Sequence, residues 1–251
     1  MQTIQRGSFK DALALVGSSP HLVRTIILAA FAQLVPIVGP IMVTGYFYLW
    51  ARDAAWGLDT PLPDKTGSFS KLLRVGFIVF VIELLWGLVL GLISSFFSSI
   101  PLIGVGLGFL MSIVTLILSV YIMVLGMRAA IYEKFAPGVQ LPQAFELVRR
   151  DPKGLARVLL VNLVASVVIS VIAMGFLAGV FLMLDGGTSA VLMFDVVTLC
   201  TVFFLLLLAL GVVVNAVVMR MLGCWMSQFV PSAWGDSQSG LPDGVGPARV
   251  F

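Results

Sequence analysis

Glu83 has the strongest claim to chemistry in this chain. It stands inside an unbroken apolar run, Val75 to Phe97, about eight residues from its start. An ionisable group at that depth of a membrane helix is costly to hold and marks a functional site by default. Asn162 and Asn215 fall at similar depth in two later apolar runs. Together the three residues make a candidate polar niche for a cation, a proton or a headgroup. The simpler reading is structural: one protonated glutamate hydrogen-bonded to an asparagine, a bond worth about 1 kcal/mol between membrane helices. One acid alone does not make a proton relay.

Other reactive side chains are poorly placed for catalysis. Ser94, Ser95, Ser98 and Ser99 have no neighbouring base or orienting group, so backbone hydrogen bonding is their expected role. Asp195 is expected near the outer end of the last apolar run, reaching water. Cys200 and Cys224 lie at opposed depths, which argues against a disulfide. His21 is the single histidine and lies far from both, so no metal site is expected. Gly104-Val-Gly-Leu-Gly108 lacks the preceding strand and the spacing of a dinucleotide fingerprint. No cofactor and no enzymatic activity are called for. The densest basic group is Arg149, Arg150, Lys153 and Arg157, a candidate contact for anionic lipid at about 1 kcal/mol per residue. Fixing topology would also account for it.

The elements that must position these residues are membrane helices. The chain is 60% hydrophobic and 11% charged, where an ordinary soluble domain is about a quarter charged. Its mean hydropathy is +1.10. The 15 Lys and Arg residues fall in four clusters, Arg6 to Arg24, Arg52 to Arg74, Arg128 to Arg157 and Arg220 to Arg249. Apolar stretches between clusters are long enough to enter a bilayer and return. Positive charge flanking membrane segments stays cytoplasmic. The net charge of +3 is thus topological, and no basic and aromatic stretch is continuous enough to follow nucleic acid.

This predicts an all-α polytopic transmembrane bundle of six apolar arms in three hairpins, with both termini in the cytoplasm of a cell (inner) membrane. A single transmembrane domain is expected over 1–230, with units at about 8–63, 68–141 and 142–230, and a disordered cytoplasmic tail at 231–251. A degenerate triplication underlies the units. Ala12 to Pro20 matches Ala144 to Pro152, Pro36-Ile-Val-Gly39 matches Pro101-Leu-Ile-Gly104, and Arg52, Arg128 and Arg220 each end an apolar run ahead of Leu62-Pro63, Leu141-Pro142 and Leu241-Pro242. Phe9, Ala12, Leu13, Leu15 and Val16 form an amphipathic pattern that predicts a short interfacial helix. Ser19 is the expected N-cap of the first arm, with Pro20 at its first position. Pro36, Gly39 and Pro40, and likewise Pro101 and Gly104, are the expected helix breaks. The first arms, at about 17 residues each, are marginal for a core of roughly 30 Å, so that hairpin is short or re-entrant. Tyr46, Tyr48, Trp50, Trp56, Tyr121, Tyr132 and Trp225 are expected to form an interfacial belt. Gly87 with Gly91 and Gly175 with Gly179 are small-x-x-x-small motifs that could pack on each other.

Ala12 to Pro20, Leu34-Val-Pro36-Ile-Val-Gly39-Pro40, Gly45-Tyr46, Arg52, Leu62-Pro63 and Ala144 to Leu147 together resemble the domain-of-unknown-function family 4013. The likeness covers about residues 8 to 225. It implies a multi-pass prokaryotic membrane protein and carries over no catalytic residue. The sequence favours a non-enzymatic accessory or scaffold protein. The alternative is a small-molecule or lipid transporter using the niche around Glu83. The partners implied are the bilayer, anionic headgroups, and a membrane-protein partner or a second copy of the chain. A cavity reaching Glu83 would favour the transporter, and a closed apolar centre the scaffold.

Overall fold

The computed structural model describes residues 8–56, 60–63, 68–100, 104–185 and 190–229. Among these residues the protein is all helical: α1 Phe9–Gly17, α2 Leu22–Ala32, α3 Val38–Ala55, α4 Phe69–Ser98, α5 Gly104–Tyr132, α6 Leu141–Arg150, α7 Pro152–Asp185 and α8 Ala190–Met226. Three spans are long and apolar enough to cross a membrane, Phe69–Phe97, Pro152–Met183 and Phe194–Met226, or up to four if the pair α1 and α2, bent by 95°, forms one broken span. Gly104 opens α5. Pro101, the link at 186–189, Leu241-Pro242 and the tail at 231–251 lie outside the described residues.

Helix α1 is amphipathic. Ser8 caps it by accepting from the Asp11 N–H, and Ala12 and Val16 are buried while Phe9 and Leu13 face outward. Ser19 does not cap the next helix. Its hydroxyl donates to the Leu15 carbonyl at 3.0 Å and accepts from the Leu62 N–H at 2.9 Å. The buried Leu62 amide needs a partner, and Ser19 supplies it. Helix α2 starts three residues later, after His21, which makes no side-chain cap bond. It has 11 residues, about 16 Å at 1.5 Å per residue, shorter than the expected arm.

The chain breaks between Ala32 and Val38, as the Pro-Gly-Pro stretch predicts. The means differ from expectation. The positive φ falls on Ile37 (φ 66°, ψ −59°), not on Gly39. The Val38 N–H donates to the Pro36 carbonyl at 2.7 Å, closing a γ-turn. Gly39 and Pro40 already lie in the first turn of α3. What Gly39 provides is room: a Cβ there would sit 1.7 Å from the Ala32 carbonyl oxygen.

Helix α3 is the centre of the molecule, with twelve of its eighteen residues buried. It meets α4 backbone to backbone. A Cβ on Gly45 would lie 2.1 Å from the Leu72 oxygen, and one on Gly76 1.9 Å from the Ile41 oxygen. Its far end packs on α8, where a Cβ on Gly223 would lie 2.3 Å from the Ala51 oxygen. The expected small-residue motifs play no such part. A Cβ on Gly87, Gly91, Gly175 or Gly179 would meet nothing within 4 Å. Those glycines lie on outward faces, so the two motifs do not pack on each other.

The aromatic residues also depart from a belt. Tyr48, Trp50, Trp56, Tyr132 and Trp225 are buried in the core. Several hold loops in place instead. The Tyr46 hydroxyl donates to the Pro63 carbonyl at 2.6 Å, and the Trp50 N–H to the Thr60 carbonyl at 3.2 Å.

Candidate functional site

Glu83, Asn162 and Asn215 line one cavity. Its volume is about 300 Å³, and Thr44, Phe47, Tyr48, Met123, Val218 and Met219 complete the wall. Five helices contribute: α3, α4, α5, α7 and α8. Thr44 and Tyr48 are one helical turn apart and share a face of α3. Asn215 and Met219 do the same on α8. The side chains of a helix lean toward its N-terminus, which sends the Tyr48 ring away from the Arg52 end and toward Glu83. The Tyr48 hydroxyl donates to Glu83 Oε1 at 3.1 Å. Gly126 makes room for the phenol, since a Cβ there would lie 2.8 Å from its oxygen. The glutamate's partner is therefore a tyrosine, where the sequence pointed to an asparagine. Among the described residues, neither asparagine amide has a hydrogen-bonding partner in the protein.

The lining chemistry is selective. A carboxyl group, a phenol, a hydroxyl and two carboxamides face the space, with two aromatic rings and two methionines. Among the described residues no basic side chain lines it, so none of them would compensate an anion there. The volume is at the low end of small-ligand pockets, which run from about 300 to 1,000 Å³.

A second polar assembly sits at the basic end of the bundle, and sequence reasoning missed it. Arg52, Arg128 and Arg220 are buried, at 8%, 0% and 2% exposure, and so are not interfacial anchors. Arg52 and Lys71 both reach Glu133 Oε1, at 2.7 and 3.1 Å. Glu133 follows the end of α5 with φ 49°. Burial pushes its carboxyl up, but the hydrogen bonds and charges of Lys71 and Arg52 outweigh this and hold it below the usual range. Arg128 is held by neutral groups, donating from its terminal nitrogens to the Gln140 carbonyl at 3.1 Å, to Gln140 Oε1 at 3.0 Å and to Gln143 Oε1 at 2.7 Å, while its buried Nε has no partner among the described residues. The Arg220 guanidinium lies 5.8 Å from the Trp50 ring centroid, within cation–π range. Their shared place at the end of an apolar run was the signal. Its meaning was hidden, because a sequence shows how deep a residue lies but not which way it faces.

The basic group at 149–157 is divided. Arg149 and Arg150 end α6, and Arg150 pairs with Glu146. Lys153 and Arg157 lie exposed on α7. Asp151 separates the pairs and ties α7 to α8. It accepts from the Gly154 N–H at 2.9 Å, Trp225 Nε1 at 3.1 Å and Gln228 Nε2 at 2.8 Å. Asp195 is exposed in the second turn of α8. Cys200 and Cys224 are 24 residues apart on one helix, roughly 36 Å, too far for a disulfide. No group of metal-ligating side chains occurs among the described residues.

A family model described as "Protein of unknown function (DUF4013)" matches residues 28–178. That is more than half of the chain. The match runs from within α2 to within α7, and so includes Glu83 and Asn162 but not Asn215. No curated protein and no solved structure matches the chain.

Proposed function

The chain belongs to the DUF4013 family, and from that premise we propose that it is a non-enzymatic membrane protein that binds a small cationic or neutral polar solute at the Glu83 niche, as a transporter would. The observation that carries this reading is the cavity. Polar side chains from α3, α4, α7 and α8 meet in one space of about 300 Å³ instead of filling a closed apolar centre. Polar groups inside a membrane bundle mark solute pathways. The Phe47 and Tyr48 rings suit an amine, whose charge they attract by about 0.5–2 kcal/mol.

The test uses purified protein in lipid nanodiscs. Ethanolamine, choline, putrescine and glycerol are added, and the unfolding temperature is followed. At least one should stabilise the parent and neither Glu83→Gln nor Asn162→Leu. Glu83→Gln itself should keep the fold, because its amide can still accept from Tyr48. If no compound gives a Glu83-dependent shift, the transporter reading fails.

The reading includes a topology: one transmembrane domain over 1–230, six arms in three hairpins, the first re-entrant, arising by triplication, in a cell (inner) membrane. Its support is that the described members of the four basic clusters lie toward one end of the bundle. Ser19 meets Leu62, Arg52 and Lys71 meet Glu133, and Asp151 meets Trp225. Positive-inside puts that end, and both termini, in the cytoplasm. Cysteine labels at positions 65, 134 and 240 should react from the cytoplasmic side alone. External reaction at 134 with protection at 187 would overturn the arrangement.

A second reading, an accessory protein that holds a membrane partner or another copy of itself, rests on the outward glycines of α4 and α7. Among the described residues, nothing fills their grooves. Disulfide trapping through Gly87→Cys or Gly175→Cys would capture such a neighbour.

A further inference from the structure

A second cavity lies apart from the niche, around the α7–α8 seam, and every side chain that lines it is apolar. Its volume is about 420 Å³. Phe9 and Leu13 of α1 form one wall, Val161 and Val164 of α7 the second, and Val214 and Val217 of α8 the third. Helix α1 is fixed over this space, because Ala12 and Val16, beside Phe9 and Leu13 on the same apolar stripe, are buried in the core. Along α7 the lining extends from Leu160 to Ile169, roughly 14 Å at 1.5 Å per residue.

The same face of α7 continues past the chamber toward the basic end. Lys153, Arg157, Val161, Val164 and Val168 follow one another at three- and four-residue spacing, which stacks them on one stripe of the helix. Arg157 stands one turn from Val161, and Lys153 one turn further. Both are exposed. An apolar chamber thus opens below two adjacent cations, at the end of the bundle where the other charges gather. The matching ligand has an anionic head and a hydrocarbon tail in one molecule.

We propose that α1, α7 and α8 form a site for one anionic phospholipid, with its phosphate on Arg157 and Lys153 and one acyl chain beneath α1. The charge complementarity selects a lipid over an apolar protein helix. The apolar walls select a lipid over a free phosphate. The site stands or falls separately from the solute niche, because it shares no side chain with it.

The test is native mass spectrometry of the purified protein in detergent, supplied with phosphatidylglycerol or phosphatidylcholine of identical acyl chains. One phosphatidylglycerol should be retained, with at least a tenfold preference over phosphatidylcholine. The double variant Lys153→Gln, Arg157→Gln should lower that preference at least fivefold. Val164→Trp, which fills the chamber, should reduce retention of both lipids. Val168→Trp does the same deeper in the chamber and serves if the first variant elutes as aggregate. Equal retention of the two lipids overturns the proposal, as does competition by inorganic phosphate. Retention that responds to the charge variant but to neither tryptophan is surface adsorption, and also overturns it. A dimer that excludes lipid would assign the groove to a second copy of the chain.

Discussion

The two ends of this bundle are built on different principles. At the basic end, Phe47, Tyr48, Leu49 and Trp50 are at most 1% exposed, and three arginines are buried among them. Toward the other end, Met174, Phe181 and Leu182 are 70–72% exposed. Apolar content is high in both, so hydrophobicity does not distinguish them. Backbone contact does. Glycine at 45, 76 and 223 lets helices touch through their main chains, and charged side chains then lock the register. Among the described residues, the distal parts of α4, α7 and α8 have neither device. Their apolar faces are solvated by hydrocarbon, which attracts them as well as another helix would. Helix association in a membrane therefore follows small residues and polar ties more than apolar area.

The largest test of this contrast is Gly76→Val. The new side chain would overlap the Ile41 carbonyl, and backbone cannot yield as a flexible side chain can. A loss of about 3 kcal/mol or more is expected, read as loss of monodisperse protein in detergent. If Gly76→Val is tolerated, the α3–α4 crossing is not the seat of stability.

A smaller effect is expected at Glu133. Glu133→Gln should cost about 2 kcal/mol, below the range for a fully buried pair because the Lys71 side chain is 36% exposed. The carboxyl is held below its unfolded value near 4.3. Its contribution is therefore complete above that pH and is lost as pH falls through the depressed folded value. Unfolding temperature measured from pH 7 to pH 3 should drop in the parent and drop less in the variant. Equal curves would remove Glu133 from the account.

Ile37→Gly should raise stability by about 1 kcal/mol. The position pays for a positive φ that glycine adopts freely, and the isoleucine side chain is 70% exposed. Chemical denaturation of the pair would show the sign. The smallest effect belongs to the distal half: Gly87→Ala with Gly179→Ala should change stability by less than about 0.5 kcal/mol. A large change there would mean that these faces have a partner.

The residues around the chain's breaks were legible because they act locally. Pro36 to Pro40 stop a helix wherever they occur, and the chain leaves α2 just before them, at Ala32. The niche was legible because a polar side chain in an apolar run has few places to go. Tyr48 was not, since its ring passes for interfacial, and only Gly126 opposite shows where the hydroxyl fits. The orientation of α3 was also invisible. A helix apolar on all sides shows no preferred face, so burial of Arg52 could not be distinguished from exposure. Gly45 and Gly76 belong to no repeated motif within their own helices. They matter because they meet each other.

Gly223 has a further consequence, for synthesis. It packs on the carbonyl of Ala51, 172 residues earlier in the chain. At about 5–20 residues per second, that partner leaves the ribosome roughly ten to thirty seconds after Ala51 does. Through that interval the last turns of α3, with Arg52 among them, have no α8 to close over them. The insertion machinery or the lipid around it must shelter a half-built core, and a chain that stops before α8 should be a substrate for membrane proteolysis.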